Sequence, residues 1–238
     1  MFFDHVHNIA LVFSNQGKYD EAMQWYARAL AGCEKALGKD HPSTLDTVHN
    51  IAGVFSNQGK YDEAMQWYQR AISGREKALG KDHPSTLDTV NNIALVFSNQ
   101  GKYDEAMQWY EWALAGKEKA LGKDHPSTLS AVHNIALVFS NQGKYDEAMQ
   151  WYTRALAGKE KALGEDHPSI CYIVNNIAGV FFKQGKYDEA MQWYERALAG
   201  KEKALGKSHP STLATAECLR TFINNLQLSK YFPADKSV

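Results

Sequence analysis

Two kinds of amphipathic segment alternate along the chain, and both have the spacing of α-helices. The first kind carries an apolar stripe such as Leu45, Val48, Ile51, Ala52 and Phe55. The second kind runs from about Tyr61 to Leu79 and has its own stripe, formed by Ala64, Tyr68, Ala71, Ile72 and Leu79. Because each segment is apolar on one face only, the pattern predicts helices that bury one side and expose the other.

Turn-forming residues mark the ends of these segments. Pro42 suits the first turn of a helix, where its missing N–H costs nothing, and Asp40 or His41 can cap that helix. Gly59 and Gly80 follow the first and second segments, at positions where a left-handed residue commonly ends a helix. The boundaries therefore predict two antiparallel helices joined by a tight turn at Gly59.

Glycines also recur inside the second helices, where each costs about 1 kcal/mol relative to alanine. They are Gly32, Gly74, Gly116, Gly158 and Gly200. A cost that is repeated in every unit predicts close contact between helices, or a bend, at this point.

The whole pattern repeats at an interval of 42 residues. The string QGKYDEAMQWY begins at Gln16, Gln58, Gln100, Gln142 and Gln184. One helix pair cannot bury both of its stripes, so stability must come from stacking on the next pair. We expect five repeats over residues 1–206, the first truncated at its N-terminus, then a capping helix over 207–231 and a flexible tail over 232–238.

The repeat resembles a known family. Gly59–Lys60–Tyr61, Ala64, Tyr68 and Ala71 match the signature spacing of the tetratricopeptide repeat. The longer unit, with LGKDHPSTL and NNIALVF, is similar to the repeats of kinesin light chains, and most like the nearly identical arrays of filamentous fungi. This resemblance implies an all-α, right-handed superhelical solenoid of antiparallel helix pairs, in which the first helices line a concave surface.

Candidate ligand-binding positions follow from that resemblance. One ladder on the first helices is Asn8, Asn50, Asn92, Asn134 and Asn176, and beside it run His7, His49, Asn91, His133 and Asn175. A turn earlier lie Asp46, Asp88, Ser130 and Tyr172. An amide side chain both donates and accepts, so an asparagine ladder can pair with the backbone of an extended peptide. Alternatively, each asparagine bonds a neighbouring helix and never meets a ligand.

Composition and charge narrow the function. The 238 residues carry 26 basic and 27 acidic side chains, and the concave positions hold almost no Lys or Arg, so we expect no nucleic-acid ligand. No run reaches the length of a membrane span, and three scattered cysteines favour a reduced, cytoplasmic location. Catalytic motifs are missing, and histidines one repeat apart cannot share an ion, so no enzyme activity, metal or cofactor is expected.

The expected function is therefore a non-catalytic scaffold that binds a protein or peptide in the concave groove. The resemblance to kinesin light chains implies a cargo-adaptor role. Two alternatives stay open: the ligand-sensing repeat region of a larger signalling receptor, and a purely structural or self-associating spacer. The first helix exposes Phe2 and Phe3, so we expect either a monomer or weak head-to-tail association.

Overall fold

The computed structural model describes residues 2–164 and 167–231, and within them the secondary structure is helical. The helices are α1 (Phe2–Asn15), α2 (Tyr19–Leu37), α3 (Pro42–Asn57), α4 (Tyr61–Leu79), α5 (Pro84–Asn99), α6 (Tyr103–Leu121), α7 (Pro126–Asn141), α8 (Tyr145–Leu163), α9 (Pro168–Lys183), α10 (Tyr187–Leu205) and α11 (Pro210–Tyr231). The prediction of an all-α array of helix pairs is confirmed. The predicted tail, 232–238, lies outside the described residues.

The chain divides into two compact units, Met1–Lys123 and Asp124–Val238. In the first unit, α1 packs on α2, α3 on α4 and α5 on α6, and each pair also contacts the next through α2 with α3 and α4 with α5. In the second unit, α7 packs on α8 and α9 on α10, with further contacts between α8 and α9 and between α10 and α11. Each unit is therefore built from helix pairs that stack on their sequence neighbours.

The apolar stripes of the sequence form the core of each repeat. Ala52 and Ala64 are fully buried and bring α3 and α4 close together, and Tyr68 fills the adjoining space. The same cluster includes Val90 and Ile93 from α5, the first helix of the next repeat. Burying an aliphatic side chain of this size contributes about 1.5–3 kcal/mol, so the neighbouring repeat stabilises this core through Val90 and Ile93.

The helix boundaries have local causes. His83 accepts a hydrogen bond on Nδ1 from the backbone N–H of Ser85 at 3.2 Å, so histidine is the residue that caps the first helix of the repeat. His41, His125, His167 and His209 make the equivalent bond to Ser43, Ser127, Ser169 and Ser211. Gly59 and Gly80 have φ of 74° and 95°, a backbone region that other residues rarely adopt.

The glycines inside the second helices mark close helix contact, as the sequence predicts. A Cβ added to Gly74 would lie 2.6 Å from Leu45 Cδ2, and a Cβ on Gly158 would lie 2.6 Å from Leu129 Cδ2. The space that a side chain would need is thus already filled by a buried leucine from the first helix of the same repeat.

Helix α11 packs on α10 at the end of the second unit. Leu219 is buried there, and Ile223 is half-buried beside Met191 and Leu198 of α10. At the opposite end of the chain, α1 exposes Leu11 and Val12. The side chains of Phe2 and Phe3, on which the expected self-association rests, lie outside the described part of the structure.

Candidate functional site

The predicted ladder positions share one face of the first helices, which we call the ladder surface. It comprises the positions of Asp46, His49 and Asn50 and their equivalents in the other repeats. In the first unit, Asn50 Nδ2 donates to His7 Nε2 at 2.8 Å, and Asn92 Nδ2 donates to His49 Nε2 at 3.1 Å. In the second unit, Asn176 Nδ2 lies 3.3 Å from His133 Nε2. The asparagine of one repeat thus bonds the histidine of the repeat before it.

His49 and His133 are held in the neutral form. Desolvation lowers the pKa of His49 to about 3, with a further lowering by Arg75 and an opposing effect of Asp88. Burial likewise lowers the pKa of His133 to about 4, aided by the charge of Lys159. Because asparagine donates to Nε2, the neutral ring carries its proton on Nδ1. In the first unit that Nδ1 lies 3.3 Å from a threonine hydroxyl, Thr47 for His7 and Thr89 for His49.

In four repeats, a buried cationic side chain lies beneath the ladder surface. The side chains come from the second helices and are Arg75 (4% exposed), Lys117 (2%), Lys159 (7%) and Lys201 (4%). The expectation of almost no Lys or Arg considered the first helices alone and therefore did not include these cations, which belong to the second helices. The helical spacing could have predicted that these cations are buried. Each follows a buried alanine, such as Ala71, by one helical turn and therefore lies on the same face as the apolar stripe.

In the first unit, aspartates of the ladder surface neutralise these cations. Arg75 Nη2 lies 2.6 Å from Asp46 Oδ1, and Lys117 Nζ lies 2.8 Å from Asp88 Oδ1. Arg75 Nη1 also donates to Thr89 Oγ1 and to the carbonyl oxygen of Ser85, both at 2.7 Å. The arginine therefore connects its own repeat to the next one through charged and neutral hydrogen bonds.

An open cavity of about 270 Å³ lies over this network. Its lining includes His7, Asp46, His49, Asn50 and Arg75. Both aspartate side chains remain about half exposed, 55% for Asp46 and 52% for Asp88, although their cationic partners are buried. Carboxylate oxygens, the asparagine amide and the histidine ring thus line a polar cavity that solvent can reach.

The second unit presents a different surface at the same positions. Ser130 replaces the aspartate, and its Oγ donates to the carbonyl oxygen of Pro126 at 3.0 Å. Tyr172 takes the same position in the next repeat and is 52% exposed. A cavity of about 220 Å³ is lined here by Ser130, His133, Asn134, Lys159, Ser169, Tyr172 and Ile173. Asn175 is half-buried on the same helix as Tyr172.

Two further ladder residues lie in the first unit. Asn8 is exposed on α1, and Asn91 is half-buried and donates from Nδ2 to Asn92 Oδ1 at 3.4 Å. Among the described residues, His, Cys, Asp and Glu form no cluster of three or more that could hold a metal ion. In the same part of the chain, no helix is long and apolar enough to cross a membrane.

Stacked antiparallel helix pairs with a polar face on the first helices define a helical-repeat protein. The tetratricopeptide repeat family model matches residues 4–77, 46–119, 116–161, 127–203 and 169–217, and the chain therefore belongs to that family. A comparison with curated proteins found no match.

Solved structures with the same fold include a putative kinesin light chain of Podospora anserina with nearly identical repeats, at 26% identity and a TM-score of 0.64, covering 84% of this chain and 94% of that one. BtubC (BKLC) from P. vanneervenii matches at 18% identity and a TM-score of 0.69, over 90% and 87% of the two chains. A Rap protein complexed with competence and sporulation factor matches at 16% and 0.73, over 93% of this chain and 64% of that one. The last two similarities concern the fold alone.

Proposed function

We propose that the chain is a non-catalytic scaffold that binds a peptide or an extended segment of another protein on its ladder surface. The observation that carries the proposal is the pair of cavities, about 270 and 220 Å³, that open on this surface in the two units. The packing framework is constant between repeats, whereas the residues lining these cavities differ. A constant frame with a variable lining suits recognition of a sequence.

The ladder asparagines keep hydrogen-bonding capacity for a ligand. Each bond to histidine uses one of the two amide N–H groups, and an amide also has a carbonyl oxygen with two lone pairs. Pairing with the neighbouring histidine fixes the side-chain rotamer, so less conformational entropy is lost when a ligand binds. In this proposal each ladder asparagine therefore has two roles. It bonds the histidine of the neighbouring repeat, and its remaining amide groups contact the ligand.

The comparisons support this class of function. The fold is that of a tetratricopeptide-repeat scaffold, a type that typically mediates protein interactions without catalysis. The Rap protein of similar fold was solved in complex with competence and sporulation factor. A kinesin-light-chain-like cargo adaptor in the cytoplasm, with five repeats over residues 1–206 and a capping helix over 207–231, is the specific form we propose.

Peptide display tests the proposal directly. A random library of 12- to 15-residue peptides is selected on the intact chain, and the affinities of the selected peptides are measured by fluorescence anisotropy. We expect Asn50→Ala with Asn176→Ala to weaken binding about tenfold or more, since each removes a half-buried side chain that would hydrogen-bond the ligand. The matched control is Gln66→Ala with Gln150→Ala, exposed on the second helices in two repeats.

The outcomes separate the possible functions. If the asparagine substitutions weaken binding of the selected peptides and the glutamine substitutions do not, the result supports binding on the ladder surface. Equal responses to both pairs would move binding away from the ladder surface. Failure to select any peptide, together with a mass in light scattering that rises with concentration, would favour a self-associating spacer instead.

A further inference from the structure

One of the four buried cations differs from the others in its surroundings. Arg75 and Lys117 have an aspartate of their own repeat, and Arg75 has a threonine hydroxyl of the next. Lys201 donates to Thr215 Oγ1 at 2.7 Å, and its Nζ lies 5.3 Å from the centroid of the Tyr172 ring. Lys159 has neither kind of support, because Ser130 stands in place of the aspartate and Ile173 in place of the threonine.

The structure consequently leaves Lys159 as a buried ammonium without a partner in the described residues. The side chain is only 7% exposed, and the pKa of Lys159 is lowered by desolvation. Burying a cation is unfavourable unless an opposite charge or hydrogen bonds compensate for the lost water. In the two repeats before it, the chain itself supplies that compensation as a carboxylate.

A second polar group beside Lys159 is also unpartnered. Nδ1 of His133 is buried and has no hydrogen-bond partner, whereas its equivalents in His7 and His49 contact a threonine hydroxyl. Since Asn176 donates to Nε2, the neutral ring carries its proton on Nδ1 and offers a donor. Because Ile173 occupies the position of that threonine, neither the His133 ring nor Lys159 has a hydroxyl partner there.

Both groups line the cavity of about 220 Å³ described for the second unit. This volume far exceeds the roughly 10–15 Å³ that one water molecule needs, and it can admit a carboxylate with the carbons that bear it. Ser130 is shorter than aspartate and leaves the place of the carboxylate open. Tyr172 adds an aromatic wall, and Ser169 and Asn134 add polar groups.

We propose that this cavity binds a carboxylate of the ligand, which takes the place that Asp46 and Asp88 fill in the earlier repeats. The inference deepens the proposed peptide-binding function by naming the chemistry that one ligand position must have. A single cation in a small cavity suits one carboxylate, supplied by an Asp or Glu side chain or by the C-terminus of a peptide.

Small carboxylates of defined structure test the site without an identified partner. The ¹H–¹³C signals of the Lys159 Cε group are assigned with Lys159→Met and followed by NMR at constant ionic strength. The probes are N-acetylaspartic acid amide, which has only a side-chain carboxylate, and N-acetylglycine, which has only a terminal one. N-acetylasparagine amide is the neutral control. We expect a saturable shift with a Kd of roughly 1–20 mM for at least one acid.

Ser130→Asp is the decisive variant, because it restores the arrangement of the earlier repeats. It should abolish the shift and raise the melting temperature by about 2–4 °C through pairing with Lys159. A response to N-acetylglycine alone identifies a terminal carboxylate, and a response to the aspartic acid amide alone identifies a side chain. No saturable shift in the unmodified chain, or an equal shift in Ser130→Asp, would overturn the proposal.

The same variant separates this inference from the proposed function. If display-selected peptides bind with unchanged affinity to Ser130→Asp, the carboxylate site is wrong while peptide binding stands. If no peptide is selected but the small acids still shift Lys159, the site stands without a peptide ligand.

Discussion

At the scale of single residues, the ladder surface is held together by polar groups that cross from one repeat to the next. Asn92 bonds His49, and Arg75 bonds both Asp46 in its own repeat and Thr89 in the following one. The half-exposed carboxylate keeps part of its water while the guanidinium loses most of its own. Such a pair stabilises mainly by avoiding an uncompensated buried charge, so removing one partner costs more than the pair contributes.

The lowered pKa of His49 predicts a specific dependence of stability on pH. The pKa of His49 falls from its ordinary 6.5 to about 3 on folding, so the unfolded chain binds more protons between these values. The stability from neutral His49 is therefore fully present above pH 6.5 and is lost as the pH falls toward 3. We expect this residue alone to remove about 2–3 kcal/mol of the free energy of unfolding between pH 7 and pH 4.5.

Urea denaturation at the two pH values checks this expectation. His49→Asn is the matched variant, because Asn91 and Asn175 occupy the same position in other repeats. The variant should lose stability at pH 7, where Asn92 loses its partner, but show a smaller drop on acidification than the unmodified chain. Equal drops in the two proteins would mean that His49 is not the group that titrates.

At the scale of the helices, the contact between the two members of a pair is set by glycine against leucine. Gly74 on α4 lies against Leu45 on α3, which is 1% exposed. Ion pairs also join successive repeats, such as Lys77 with Asp40 at 3.0 Å, but both side chains are largely exposed. Exposed pairs contribute little, about 0–1 kcal/mol. Close packing therefore fixes the geometry of the pair.

Two glycine variants in one repeat separate packing from helix propensity. Gly74→Ala should destabilise the chain by about 1–2 kcal/mol, because a Cβ 2.6 Å from Leu45 Cδ2 forces a buried side chain to move. Gly53→Ala should stabilise by up to about 1 kcal/mol, since its nearest neighbour is Tyr68 Oη at 3.7 Å. Thermal and urea denaturation measure both, and a stabilising Gly74→Ala would contradict the proposed contact.

The helices show which features of the fold could be predicted from the sequence and which could not. Helix boundaries such as Pro42 and Tyr61 follow from apolar periodicity and turn residues, which act locally, and they were predicted closely. The positions of the ladder residues on one face follow from the same period. The buried cations were missed because a lysine in a helix ordinarily extends into water. Only the packing of α6 or α8 against its first helix shows that Lys117 and Lys159 point inward.

At the scale of the whole molecule, the helix pairs within each unit pack on the next pair along the chain. Core residues of one repeat, such as Tyr68, share a cluster with Val90 and Ile93 of the next. Helix α11 packs on α10 as the next repeat would, and its Leu219 joins Ala190 in a buried cluster. In an array of this kind, stability is close to a sum of repeat terms and interface terms, so a local loss need not unfold distant repeats.

The dependence of each repeat on its neighbours predicts how far the loss of stability caused by one substitution extends along the chain. Leu219→Ala removes a buried side chain and should cost about 2–5 kcal/mol at the interface of α10 and α11, whereas Leu213→Ala, on the same helix but 55% exposed, should cost little. Hydrogen exchange followed by mass spectrometry should show faster exchange in α10 and α11 of the first variant. Exchange in α3 and α4 should stay unchanged, because those helices meet only their own neighbours. Equal acceleration in every helix would show that the array unfolds as one cooperative unit, and it would remove the independence between repeats that lets their ladder residues diverge.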